Sequence, residues 1–72
     1  MRELPDQMLD ELMARLPERM REQVAWVHPH GFWPFIVVTF YQNEGKDLVG
    51  VRIPKEHWLD DWAISYLCLM AP

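Results

Sequence analysis

The chain has a single cysteine, Cys68, in 72 residues, which excludes intrachain disulfides and every zinc site built on two or more thiolates. A protein without those staples is held together by packing and suits a reducing cytoplasm. Long apolar runs are missing too. The longest, Phe32 to Tyr41 and Trp62 to Ala71, are about ten residues each, against the ~20 that cross a bilayer. The start, Met1-Arg2-Glu3-Leu4-Pro5-Asp6, has no apolar stretch behind a basic head, as a secretory signal requires. The expectation is a cytoplasmic protein with no membrane partner. Glycine is scarce and scattered, at Gly31, Gly45 and Gly50, so there is no phosphate-cradling loop. Positive charge is short as well. Seven Lys and Arg against eleven Asp and Glu leave a net charge of −4, the wrong sign for non-specific attraction to phosphate, and no direct nucleic-acid binding is expected. The acids are nevertheless interleaved with Arg15, Arg19 and Arg21, unlike an all-acidic mimic of a DNA surface.

Apolar and aromatic residues are abundant instead: half the chain is hydrophobic, with four Trp, three Phe and two Tyr. A single domain of this size buries only about 60% of the surface its unfolded chain exposes. The apolar excess therefore meets either a second copy or a partner.

Leu9, Leu12, Leu16, Met20 and Val24 recur at spacings of three and four, with Met8 and Met13 widening the stripe and charged residues opposite, the period of an amphipathic helix. Pro17 either kinks that helix or starts a second one; two pieces, Asp6 to Arg15 and Pro17 to about Val24, are favoured. Trp26-Val27-His28 fits a helix end or a short strand. Phe35 to Tyr41, almost entirely β-branched or aromatic, is the clearest strand. A polar loop, Gln42 to Lys46, joins it to Leu48 to Ile53 as a β-hairpin. One face of the hairpin takes Ile36, Val38 and Phe40 against Val49, Val51 and Ile53. The other takes Phe35, Val37, Thr39 and Tyr41 beside Leu48, Gly50 and Arg52. The first strand is thus largely apolar on both sides, which implies that both are covered. Pro54 is read as opening a last helix that carries no charge after Asp61. The fold class is α+β in one domain: an N-terminal helix split at Pro17, an antiparallel hairpin or three-stranded sheet, and a C-terminal helix packed on it.

Few groups suggest chemistry. His28-x-His30 with His57 has the ligand count of a catalytic zinc, but Pro29 and Gly31 put the pair in a turn and the spacing matches no zinc motif. Turn histidines with exposed rings are the plainer reading. His57, Asp61 and Ser65 form an i, i+4, i+8 stripe of hydrolase residue types, yet a mid-helix serine has no free amides beside it for an oxyanion; a polar stripe with a His57 to Asp61 contact is expected instead. Cys68 lies in an apolar run, the setting of a buried, inert thiol. Trp33 beside Pro34 either plugs the underside of the sheet or presents an interface anchor.

The order of one helix, two or three strands and a last helix resembles the double-stranded-RNA-binding topology, also seen in small toxin and antitoxin proteins. That likeness spans most of the chain and is one of element order alone. Where an RNA-binding member would place lysines at the start of its last helix, this chain has Lys55-Glu56-His57-Trp58-Leu59-Asp60-Asp61, which counts against RNA. Small size, acidity and lack of catalytic apparatus are similar to the inhibitor proteins that phages and mobile elements encode, anti-CRISPR proteins among them. The function expected is a non-enzymatic, cofactor-free, dimer-forming module that occludes or scaffolds a larger protein. Trp58, Trp62, Tyr66 and Met70 are assigned to self-association, and Trp33, Tyr41, Glu44 and Asp47 to the partner surface. The alternatives are a metal-dependent enzyme or sensor using His28, His30 and His57, and an antitoxin or transcription-linked regulator.

Overall fold

A computed structural model describes residues 5–29 and 31–72. Its elements are α1 (Pro5–Arg15), α2 (Glu18–Arg21), β1 (Val24–Pro29), β2 (Phe35–Gln42), β3 (Asp47–Pro54), a 3-10 turn (Lys55–His57) and α3 (Asp61–Met70). The strands form one antiparallel meander with β2 in the middle. This is the α+β order read from the sequence, with three strands.

Pro17 does split the N-terminal helix. The Leu16 amide still bonds the Leu12 carbonyl at 3.0 Å, whereas Pro17 is extended (φ −57°, ψ 148°) and the Met20 amide closes a new turn on the Pro17 carbonyl at 2.9 Å. A proline has no amide hydrogen to donate and clashes with the preceding turn, so the break falls there. Leu12, Leu16 and Met20 stay on one side and are buried. The second piece is shorter than the periodicity suggests. Val24 belongs to β1 rather than to the helix, and it continues the apolar stripe from a strand.

A bulge makes that continuation possible. Val24 and Val27 are both buried although three residues apart, which strict alternation forbids. The register slips between Val24 (opposite Phe40) and Trp26 (opposite Thr39), leaving Ala25 as the extra residue, so both valines face inward while Trp26 faces out.

In the sheet Ile36 lies opposite Ile53, Val38 opposite Val51 and Phe40 opposite Val49, the hairpin pairing expected from the pattern. This inner face meets Leu12, Leu16 and Met20 from the N-terminal helices and Ala63 and Leu67 from α3 in one core. α1 lies against β1 and α3 against β3, so the helices share one side of the sheet. Among the described residues no helix is long and apolar enough to cross a membrane.

The C-terminal helix starts later than Pro54. Pro54 leads only into the single 3-10 turn, and Leu59 then takes a positive φ of 71°, costly for a side chain with a Cβ. Trp58 and Leu59 both turn onto the core cluster, and their burial offsets that cost. The Arg15 guanidinium holds the bend by donating to the Leu59 carbonyl at 2.8 Å and to the Asp61 carboxylate at 2.6 Å. α3 then begins with Asp60 as its cap residue, whose carbonyl accepts from the Ala63 and Ile64 amides. Asp60 and Asp61 therefore stand at the positive end of the helix dipole rather than in a second turn.

Candidate protein-binding surface

The outer face of the sheet is built by the residues that alternate with the core. In register across the strands these are Trp26 and His28 on β1, Phe35, Val37, Thr39 and Tyr41 on β2, and Leu48, Gly50 and Arg52 on β3. Among the described residues no helix packs on this side, and Trp26, Tyr41 and Leu48 stand half exposed. The sequence pattern implied a cover for both faces; among the described residues the helices cover the inner face alone. Ring contacts organise the surface. His28 meets the edge of Trp26 at 5.7 Å between centroids, Trp33 tilts onto Phe35 at 5.2 Å, and the Arg52 guanidinium sits over the Phe35 ring at 5.1 Å. Trp33 is thus no plug beneath the sheet: it is 44% exposed and extends the outer face at the start of β2. Gly50 lies in the middle of the face, where the Val37 side chain packs so closely that a Cβ would come within 3.2 Å of its Cγ1.

Of the four residues assigned to a partner surface, Trp33 stands just before the start of β2 and Tyr41 near its end, so they flank this face. Glu44 and Asp47 belong to the exposed hairpin turn beyond Tyr41. There Asn43, Glu44 and Gly45 all have positive φ (55°, 59° and 88°), and Asn43 Nδ2 donates to the Asp47 carboxylate, which reverses the chain tightly and keeps the acids at the rim. Arg52 was placed on this face by the sequence pattern but not assigned to a partner, and Trp26 was missed as a member of the face. Alternation alone placed Arg52, whereas the place of Trp26 depended on a bulge the pattern does not display.

A second uncovered surface lies on α3. Trp62, Ser65, Tyr66 and Leu69 lie on the side of α3 away from the buried Ala63 and Leu67, and Met70 is exposed beside them in its last turn; none of the five is charged. Trp62 and Tyr66 touch, with centroids 6.5 Å apart. Trp58 does not share this face, because the 3-10 turn and bend put it against the core, where its indole Nε1 is buried without an acceptor. Leu69, 82% exposed, takes its place on the stripe.

The groups that suggested chemistry are not brought together. His28 and His57 belong to opposite edges of the sheet, on β1 and in the turn after β3, and His30 lies outside the described residues. Among the described residues no three His, Cys, Asp or Glu side chains gather as metal ligands. The contact expected between His57 and Asp61 goes elsewhere. His57 Nδ1 pairs with Asp60 Oδ2 at 2.9 Å and its ring meets Trp62 at 5.4 Å, while Asp61 faces Arg15. His57, Asp61 and Ser65 form no stripe, since the helix begins after His57. Cys68 is a half-buried free thiol packed against the core. An open groove beside the hairpin turn is lined by Glu22, Gln23, Tyr41, residues 42–45 and Pro72 and contains no nucleophile paired with a base.

Compared with known proteins, the chain matches no family model, no curated protein and no solved structure. The likeness to the double-stranded-RNA-binding topology thus remains one of element order.

Proposed function

We propose that the protein is a non-enzymatic binding module that docks a larger protein on the outer face of its sheet, acting by occlusion or as a scaffold, and that it associates with a second copy through α3. One observation carries this reading: an aromatic face of Trp26, Trp33, Phe35 and Tyr41, with Arg52 among them, on the side of the sheet away from the described helices. Trp, Tyr and Arg are the residues that dominate interface energies. Three strands at ~4.8 Å spacing and about 26 Å of strand length give a platform of roughly 370 Å² in projection. With the Trp33 loop and the hairpin tip, it supports the ~800 Å² per partner of a specific complex.

The α3 face is smaller. Ten helical residues span about 15 Å, so pairing through α3 alone falls short of that area and gives a weak, concentration-dependent dimer. Photo-crosslinking tests the main claim. A benzophenone side chain replacing Tyr41 is expected to capture one protein from a lysate of the source cell, whereas the same group replacing Glu11 on α1 captures none. Equal capture from both positions, or none from position 41, overturns it. For the dimer, sedimentation is expected to show mass rising with concentration and falling back for Trp62→Ala; a concentration-independent monomer refutes that part.

A further inference from the structure

The two edges of the sheet differ in how far they are protected. β1 is the shorter edge strand, carries the bulge at Ala25 and ends on Pro29, features that discourage a further strand from pairing. β3, the other edge, runs eight residues with no break in register and has a proline only at its last position. The Tyr41 amide donates to the Gln23 carbonyl at 2.7 Å, so Tyr41 turns its backbone groups toward β1 and, by alternation, Ile36, Val38 and Phe40 turn theirs toward β3. Their partners there are Ile53, Val51 and Val49. Leu48, Gly50 and Arg52 therefore aim their N–H and C=O groups off the free edge, where among the described residues β3 has no further strand beside it. α3 packs over β3 and α1 over β1, and Asp61 at the start of α3 faces Arg15 of α1. In an α-helix Trp62, Tyr66 and Met70 stand roughly 100°, 140° and 180° round the axis from Asp61. This uncharged flank of α3 points away from α1, past the open edge of the sheet.

Resting on the reading of α3 as a self-association surface, we propose that a second copy also pairs along β3, antiparallel and centred on Gly50, so that two three-stranded sheets become one. This register sets Leu48 opposite Arg52 of the second copy and Val49 opposite its Val51. It engages the outward groups of Leu48, Gly50 and Arg52 on both chains, continues the inner apolar face through Val49, which is half-buried in one copy, and keeps Arg52 off its own equivalent. A centre at Val51 would instead face Leu48 with Pro54, which has no N–H to donate. Area points to the same arrangement. The α3 face, about 15 Å long, falls short of the ~800 Å² per partner of a stable complex, and β3 adds about 26 Å of hydrogen-bonding edge. The two-fold axis of such a pair stands normal to the sheet, so the α3 flanks approach each other on one side and both aromatic outer faces open on the other.

The test is amide hydrogen exchange of the isotope-labelled full chain at rising concentration, with sedimentation alongside. The Leu48, Gly50 and Arg52 amides are expected to gain protection as the mass rises. In a mixture of labelled and unlabelled chains, a contact between the Val49 Hα of one copy and the Val51 Hα of the other is expected, the mark of this register. A synthetic full chain N-methylated at Gly50 is expected to dimerise about tenfold more weakly, since the outward N–H is lost from both copies, while its inner-face signals stay in place. A dimer of undiminished strength in the methylated chain overturns the edge pairing, as does protection that appears along β1 instead. Mass that rises with concentration and falls for Trp62→Ala, with the three β3 amides exchanging equally fast throughout, also overturns it and leaves the α3 reading standing. A monomer at every concentration refutes both.

Discussion

The two faces of the sheet are made by the same three strands and by residues of similar type, yet they differ in kind. Phe40 and Tyr41 are neighbours in sequence and both aromatic; one is 0% exposed under the helices and the other 43% exposed on the open side. The inner face is the core, and its apolar residues contribute stability because they leave water on folding. The outer face keeps Trp26, Trp33 and Tyr41 exposed and Phe35 half-buried, so less of their apolar area contributes to folding. Aromatic content thus says little about role until the side of the sheet is known.

Removing one large side chain from each face separates them most sharply. Phe40→Ala is expected to cost about 3–5 kcal/mol, most of the stability of a domain this small, and to leave a chain unfolded or nearly so by urea titration. Tyr41→Ala next to it is expected to cost under about 1 kcal/mol and to act on partner binding instead; comparable losses at the two positions would erase the distinction. The same comparison holds on α3. Leu67→Ala, in the core, is expected to cost about 2–4 kcal/mol, and Leu69→Ala less than about 0.5 kcal/mol, read from the same midpoints.

Trp58 tests the comparison from another side, since it packs on the core but buries an indole N–H without an acceptor. An unsatisfied buried donor costs about 1–3 kcal/mol. Trp58→Phe keeps an aromatic ring and removes the donor, so its unfolding midpoint is expected to equal or exceed that of the parent; a fall of about 2 kcal/mol or more would mean that the N–H does find a partner. The smallest effect is expected at Arg15, whose bonds to the Leu59 carbonyl and Asp61 are exposed. Arg15→Ala is expected to cost about 1 kcal/mol or less, and most of that should persist in high salt if the Leu59 bond matters more than the Asp61 pair.

The hairpin was legible in full because period-two alternation names both faces at once: Ile36, Val38 and Phe40 against Val49, Val51 and Ile53 inside, the others outside. The break at Pro17 was legible because it follows from a missing amide hydrogen. Val24 was read as helical because three-residue spacing after Met20 fits a helix and a bulged strand equally well. The start of α3 was misplaced because Pro54 and acidic residues signal a helix N-terminus wherever they occur. What moved it was the turn of Trp58 and Leu59 toward a core assembled from distant elements. That same turn took Trp58 off the face assigned to self-association and broke the stripe of His57, Asp61 and Ser65.

Local chemistry along the chain therefore determined the element types, the hairpin register and an apolar content too large for one core, since propensity, alternation and proline geometry act over a few residues. Only the tertiary structure decided where the excess lies. Both N-terminal helices and α3 pack on one side of the sheet, through contacts between Leu12, Phe40 and Leu67 that no local pattern encodes. Among the described residues no helix packs on the other side, where Arg52 lies over the Phe35 ring.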